Sequence, residues 1–192
     1  GKTREEIKGL WEKNGDDSAN AGTKMHYDIE CFYNGHSLPE NNSLENEYFK
    51  NFVRDFERDF GKDLKPYRTE WMVFHEELKF AGSIDMVFEN EDGTLSIYDW
   101  KRCKKIKKTN NWNEFSHTSE ISHLPDTNYW HYCLQLNTYK AIIEEKYGKQ
   151  VTDMYLVCMH PDNKNKSYLR IKVADLQNEV KDIFKTRLKD IK

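Results

Sequence analysis

Two short segments concentrate the residues able to do chemistry. Gly82-Ser83-Ile84-Asp85 and Ile97-Tyr98-Asp99-Trp100-Lys101 each set a carboxylate inside an otherwise apolar run. Burying a lone carboxylate is costly, so each needs a cation or a metal as partner. Strand side chains repeat every two residues, which puts Asp99 and Lys101 on one face. The turn signal Asn90-Glu91-Asp92-Gly93 separates the two segments. A hairpin closing there lays Asp85 roughly across from Asp99, with the register left open by the sequence. Two carboxylates and an ammonium then converge, a grouping suited to hydrolysing a phosphodiester. Hard carboxylate oxygens hold Mg²⁺ or Mn²⁺. The ion polarises the phosphoryl oxygen and lowers the pKa of a bound water. The lysine orients that water and offsets developing negative charge.

Asp-x-Lys by itself is a weak signal, since salt-bridged surface strands often contain it. Its weight comes from the hairpin, from Gly82 ahead of Asp85, and from two outlying elements. One is Gly22-Thr23 with His26; the other is Gln135-Leu136-Asn137-Thr138-Tyr139. His26 alone reads best as a helix histidine packed on a sheet. In company with Asp85, Asp99 and Lys101 it reads as a ligand, and an imidazole ligand lets Mn²⁺ serve beside Mg²⁺.

The elements that must position these residues follow from periodicity. Residues 14–21 are small and polar and read as a loop. A helix follows Gly22-Thr23, with Met25, Ile29 and Phe32 or Tyr33 at helical spacing, ended by Asn34-Gly35 and Pro39. Leu44 to Phe60 forms a second helix whose stripe is Phe49, Phe52, Val53, Phe56 and Phe60, stopped by Gly61. Residues 70–74 read as a strand that Glu70 leads into. Leu78, Phe80, Ile84, Met86 and Phe88 alternate as the next strand, and Leu95 to Lys101 return. Residues 102–127 show no period, and so long a segment is often functional. A helix over about 128–147, capped by Asp126-Thr127 and closed by Gly148, carries Leu136, Tyr139, Ile142 and Ile143. Strands at 151–159 and 168–173 and a helix from about Ala174 complete the order. That order predicts an α/β fold, a mixed central sheet flanked by helices.

Composition sets the bounds. The chain has 192 residues, 33% charged and 14% aromatic, with a formal net charge of −3. That is about one domain, too aromatic for disorder. No apolar run approaches a membrane span, and nothing at the start resembles a signal peptide. Cys31, Cys103, Cys133 and Cys158 form no CxxC pair, which argues against a disulfide scaffold or zinc ribbon and fits a reducing compartment. An intracellular setting follows, whether cytoplasm, nucleus or viral factory.

Taken in order, these motifs resemble those of a known family. The sequence resembles the RecB-like, lambda-exonuclease-like branch of the PD-(D/E)XK nuclease superfamily. That branch includes nuclease domains of bacterial recombination complexes, Cas4-type exonucleases and the mitochondrial genome maintenance exonuclease. The matching elements are Gly22-Thr23-Lys24-Met25-His26, Glu70, Gly82-Ser83-Ile84-Asp85, Asp99-Trp100-Lys101, and Gln135 with Tyr139. The resemblance implies a restriction-endonuclease-like fold and one nuclease domain over 1–192, with a core of about 22–173 and a C-terminal helix at 174–191. It implies that His26, Asp85 and Asp99, with the Trp100 backbone carbonyl, bind the metal, and that Lys101 is catalytic. Glu70 assists through a second metal or a water. Gln135 and Tyr139 support the site or contact the nucleic-acid backbone. The iron–sulfur cluster of some relatives is not expected here, because the cysteine positions do not match.

The implied activity is Mg²⁺- or Mn²⁺-dependent cleavage of DNA. An exonuclease working on ends or single strands in replication, recombination or repair fits best. The rivals are a catalytically inactive nucleic-acid-binding module on the same fold and an RNA endonuclease. A basic run, with Arg102, Lys104, Lys105, Lys107 and Lys108, begins at Lys101 and suits phosphate contact. Trp112, Phe115 and Trp130 could stack on unpaired bases, with core packing equally open for Trp130. No membrane partner is expected, and no helicase or recombination partner can be read. Abundant lysine and asparagine point to an AT-rich genome, and the long helix reading Tyr129-Trp130-His131-Tyr132 into the Gln motif resembles nucleases of large DNA viruses.

Overall fold

A computed structural model describes residues 3–40, 43–60 and 64–191. Five strands form one sheet in the order β1-β2-β3-β4-β5. These are β1 (Leu64–His75), β2 (Phe80–Asn90), β3 (Leu95–Lys101), β4 (Val151–Cys158) and β5 (Leu169–Lys172). Neighbours are antiparallel except β3 and β4, which run parallel. A parallel pair needs a crossover, and the helix α3 (Asn128–Lys146) supplies it. The mixed sheet flanked by helices is the fold class expected from the sequence.

Two apolar layers cover the sheet. On one face α1 (Arg4–Tyr33) and α2 (Leu44–Phe60) lay Met25, Ile29, Phe49, Phe52 and Phe56 against Met86, Phe88, Tyr98 and Trp100. On the other, α3 and α4 (Gln177–Asp190) lay Leu136, Ile142, Ile143, Val180 and Phe184 against Ile84, Val87, Leu95 and Ile97. Strand β3 is buried along almost its whole length. A carboxylate on it therefore faces protein, whichever way it points.

Several boundaries differ from the sequence reading. Residues 14–21 are helix, the middle of α1, rather than a loop. The helix starts at Thr3, whose hydroxyl accepts the Glu6 N–H at 3.2 Å while Glu6 Oε2 accepts the Thr3 N–H at 2.7 Å. This capping box satisfies two free N–H groups and starts the helix far ahead of its buried half. Glu70 lies inside β1, not ahead of it, and Leu78 is buried in the turn between β1 and β2. The expected stop at Gly61 and the side chain of Phe60 lie outside the described residues. Segment 102–127 contains a 3-10 turn at Ser119–Ile121 and a bridge between Phe115 and Pro125. Among the described residues no helix is long and apolar enough to cross a membrane.

Candidate active site at the fork between two strands

The site forms where β2 leaves β3. Their pairing runs from Glu89↔Leu95 to Met86↔Tyr98 and stops, while β2 stays paired with β1 as far as Phe80. Continuing the register sets Asp85 opposite Asp99, as expected from the sequence. At this level the β1–β2 ribbon also exchanges faces. Met86 packs on the α1/α2 side but Ile84, two residues earlier, packs on the α3/α4 side. Across from them, Thr69 Oγ1 bonds Asn34 at the end of α1, whereas Trp71 packs on the α3/α4 cluster. The exchange passes through Glu70, whose φ of 43° is rare for a residue with a Cβ. Such strain persists only where the surroundings enforce it, and it gathers at functional sites.

Asp85 fills the gap left by the diverging strand. Its Oδ2 accepts the Trp100 N–H at 2.8 Å, taking the place of a ladder carbonyl. His26, on α1, brings Nδ1 to 3.5 Å from the same oxygen. Glu70 Oε2 accepts the Ser83 hydroxyl at 2.9 Å. His26, Glu70 and Asp85 each offer one ligand atom, and these atoms lie within 4.8 Å of one another. Trp100 also hydrogen-bonds the His26 ring through its backbone and favours the protonated ring, which only its carbonyl can do.

Electrostatics set the protonation of this group. Burial pushes the Asp85 carboxyl up to about 8, and the nearby Asp99 charge adds to it. Burial holds the His26 imidazole below its ordinary value, against the pull of Asp99. Without an ion, His26 is neutral and Asp85 holds a proton at neutral pH. Their contact is then a neutral one and not a salt bridge. A metal takes imidazole in its neutral form and a carboxyl only once its proton has left, so binding here would release the Asp85 proton.

Asp99 and Lys101 form the other half. Asp99 is 4% exposed, and Lys101 Nζ lies 2.7 Å from its Oδ2. That oxygen makes no hydrogen bond of good geometry, so the contact is one of charge. Burial raises the Asp99 carboxyl, with Lys101 pulling the other way. Burial would lower the Lys101 ammonium, but Asp99 outweighs it and the net direction is up, so the lysine stays charged. The Tyr132 ring of α3 covers Lys101, 4.5 Å from Nζ to the ring centre. Asp99 stands outside the set of three mutually close donors. Glu70 stands inside that set.

The Gln135–Tyr139 pair belongs to the same end of the sheet. Gln135 Nε2 donates to the Tyr139 hydroxyl at 3.1 Å. The tyrosine ring lies on Gly82, where a Cβ would meet Cε1 at 2.6 Å and the hydroxyl oxygen at 2.7 Å. The glycine three residues before Asp85 therefore makes room for the tyrosine of a distant helix. Arg102 is engaged elsewhere: its Nε donates to Glu45 Oε1 of α2 at 2.7 Å. Lys104 pairs with Asp162 at 2.8 Å on the surface, and Lys105 projects into solvent.

Tyr132 and Ser83 were not singled out from the sequence as site residues. Tyr132 lies one turn before the Gln motif, and Ser83 lies inside the Gly-x-x-Asp step. Their partners come from other elements, so spacing alone gives no signal for either.

The donor chemistry fits a hard divalent ion. His26, Glu70 and Asp85 bring one nitrogen and two carboxylates together, and the buried Asp99 Oδ2 lacks a directional partner.

A solved structure of a candidate exonuclease from Eubacterium rectale superposes with a TM-score of 0.50 and 13% identity, covering 88% of this chain and 64% of its own. That likeness is one of fold. A repair endonuclease from Pyrococcus abyssi matches with a TM-score of 0.32 and 17% identity over 67% of this chain and 43% of its own. The chain thus spans under two thirds of the length of these solved structures. Among curated proteins none matches. The sequence pattern of the PD-(D/E)XK nuclease superfamily matches residues 4–192, nearly the whole length, and the chain belongs to that superfamily.

Proposed function

We propose that this nuclease hydrolyses DNA phosphodiester bonds with Mg²⁺ or Mn²⁺, acting as an exonuclease on ends or single strands. The observation that carries the reading is the convergence of His26, Glu70 and Asp85 beside the Asp99–Lys101 pair. His26, Glu70 and Asp85 would hold the ion, with Asp99 and the Trp100 carbonyl at hand. When bound, the ion supplies charge that polarises the phosphoryl oxygen and acidifies a water. Asp99 and the Tyr132 ring fix the Lys101 ammonium, which orients the attacking water and offsets charge on the phosphoryl oxygens. Glu70 is anchored for its ligand role by the Ser83 hydroxyl. Gln135, exposed and braced by Tyr139, is placed to touch the backbone of the substrate.

The single-strand preference draws on segment 102–127. Trp112 is 81% exposed at the tip of an ordered loop. Asn110 ties that loop together, its Oδ1 accepting the N–H groups of Trp112 and Glu114 and its Nδ2 donating to the Glu114 carbonyl. Asn128 anchors the loop to the start of α3, one turn before Tyr132. An open indole on the same segment as the exposed Lys105 and Lys107 suits an unpaired base with its phosphates.

The test is cleavage of end-labelled single-stranded and duplex DNA, with matched RNA, with and without Mn²⁺. Metal-dependent release of nucleotides from DNA ends is expected, lost in Asp99→Asn and Lys101→Met. Variants that cut as well as the parent would end the proposal. Internal cuts or faster RNA cleavage would move it to an endonuclease or a ribonuclease.

A further inference from the structure

Two of the four cysteines, 55 positions apart, meet beside the site. Cys158 ends β4 and is paired in register with Lys101 across the parallel ladder. Cys103 lies two residues beyond Lys101. The Sγ atoms are 3.4 Å apart, and the Cys158 thiol donates to the Cys103 carbonyl at 2.9 Å. Cys158 is buried and Cys103 is half-buried. The remaining cysteines, Cys31 and Cys133, have tyrosine hydroxyls as neighbours, those of Tyr27 and Tyr129. Nothing in the nuclease reading uses the Cys103–Cys158 pair.

We propose that Cys103 and Cys158 are a redox modification site, closing to a reversible disulfide that shifts the end of β3 carrying Lys101. The control of cleavage rests on the nuclease reading; the bond itself does not. A hydroperoxide is the oxidant, and the half-buried Cys103 is where it enters. The Cys103 sulfur attacks the outer oxygen, the O–O bond breaks, and the thiol proton leaves with the alcohol or water. The resulting sulfenic acid faces the Cys158 sulfur, already in contact. Cys158 attacks, the S–O bond breaks, and water departs with the second thiol proton. Two thiols and one peroxide thus give a disulfide, one alcohol or water, and one water. A dithiol such as dithiothreitol reverses the closure by exchange.

The geometry gives the bond a consequence. A disulfide holds its sulfurs about 2.05 Å apart, so the pair must close by about 1.3 Å. Cys158 is fixed in a central strand, and the Met159 N–H donates to the Lys101 carbonyl at 2.8 Å. The movement therefore falls on Cys103 and on the chain running back to Lys101. The ammonium is held by Asp99 and Tyr132 at distances that a shift of this size disturbs. In a reducing compartment the thiols prevail, and oxidation turns the site down.

The experiment treats the full chain with stoichiometric hydrogen peroxide, then dithiothreitol. Intact mass and peptide mapping are read first. A loss of two hydrogens is expected, located at Cys103–Cys158, restored by dithiothreitol and absent in Cys103→Ser. Cys158→Ser serves as the second variant, and Cys103→Ala covers a failure of either to fold. Cleavage with Mn²⁺ should fall about tenfold or more on closure and recover on reduction, while Cys103→Ser stays indifferent to peroxide. Oxygen gain on single cysteines without loss of hydrogen overturns the proposal, as does a bond to Cys31 or Cys133. A closed bond with full cleavage overturns the coupling to Lys101. A protein that closes the bond but never cuts, even reduced, refutes the nuclease reading and leaves the modification site standing.

Discussion

The β2–β3 hairpin carries a carboxylate near each of its ends and treats the two oppositely. At the turn, Asp92 is exposed, and its Oδ1 accepts the Thr94 hydroxyl at 2.7 Å and N–H at 3.0 Å. These bonds hold its carboxyl below the ordinary range. Around it Asn90, Thr94 and Thr152 close a polar network. At the fork, burial and Asp99 push Asp85 up to about 8. One end is satisfied by its own chain, and the other is left in want of a cation. A hairpin built for stability alone would treat both ends like the turn. The fork end spends stability on an arrangement that the proposed ion would complete.

The largest effects should come from removing the charge that the fork is built around. Lys101→Met should lower metal-dependent cleavage by roughly 10²–10⁴-fold, the range seen when one preorganised group is lost. Asp99→Ala should do the same and also lose stability, by about 3–5 kcal/mol, because it leaves the Lys101 ammonium buried without a partner. Asp99→Asn keeps the shape. Thermal melts of the two Asp99 variants beside end-label assays separate charge from packing. Melting of both variants at the parent's temperature would deny the buried pair its role.

The loop comes next. Trp112→Ala should weaken single-strand binding by about 1–3 kcal/mol, the worth of one base stacked on an aromatic ring. Duplex affinity should hardly move. Fluorescence titration with an oligonucleotide too short to pair with itself reads this directly. Equal losses on single strands and duplex would place Trp112 outside the strand path.

Much of the fork was legible in the sequence because its signals are local. Asp99 and Lys101 share a face through the two-residue period, and the Asn90–Gly93 turn fixed which strands would meet. Helix α2, the α3 span and the order of the five strands follow from the same periods. What was hidden is non-local. The Cys103–Cys158 contact depends on a parallel pairing made after the long crossover of residues 102–150. Tyr132 reaches Lys101 from another helix, and Arg102 turns to Glu45, not to solvent. The first half of α1 was missed for a different reason. Its run Asn14-Gly15-Asp16-Asp17-Ser18 has weak helix propensity and is exposed. Thr3 and Glu6 carried the one start signal, a capping box that periodicity does not detect.

Acidity separates the two ends of the hairpin in a further way. Asp85 binds its proton more tightly in the folded state than in the unfolded chain, where a carboxyl titrates near 3.9. The folded state therefore holds the extra proton between about 4 and about 8, and metal-free stability should fall as pH rises through that window. Asp92 has the reverse sign: its contribution is present above the ordinary carboxylate range and is lost as pH falls through its lowered value. On the proposed metal site, Mn²⁺ would displace the Asp85 proton, so the rise in melting temperature on adding the ion should grow from pH 5 to pH 8. Melts across that range with and without Mn²⁺ check the sign. An Asp85→Asn variant should flatten the metal-free slope.

The smallest effects come from two glycines, one near each end of the hairpin, and they isolate two kinds of constraint. Gly93, at the turn, has φ of 80° and open space where a Cβ would go. Gly93→Ala is penalised by backbone conformation alone, by about 1 kcal/mol. Gly82 has no such dihedral; its Cβ would strike the buried Tyr139 at Cε1, 2.6 Å away, and at the hydroxyl oxygen, 2.7 Å away. Gly82→Ala should cost about 1–3 kcal/mol through overpacking. It should also push Tyr139 off Gln135, so cleavage falls further than the melting temperature suggests. Tyr139→Phe supplies the control, since it keeps the ring and removes only the hydroxyl. In the double variant Gly82→Ala with Tyr139→Ala the ring is gone, and the alanine at 82 should then be nearly free of penalty. Measured additivity in that cycle would mean that the two residues do not touch, and the fork would lose its account of why a glycine precedes Asp85. Strong coupling there, and none between Gly93 and Tyr139, would confine the close helix–strand contact to the end of the hairpin where the chemistry lies.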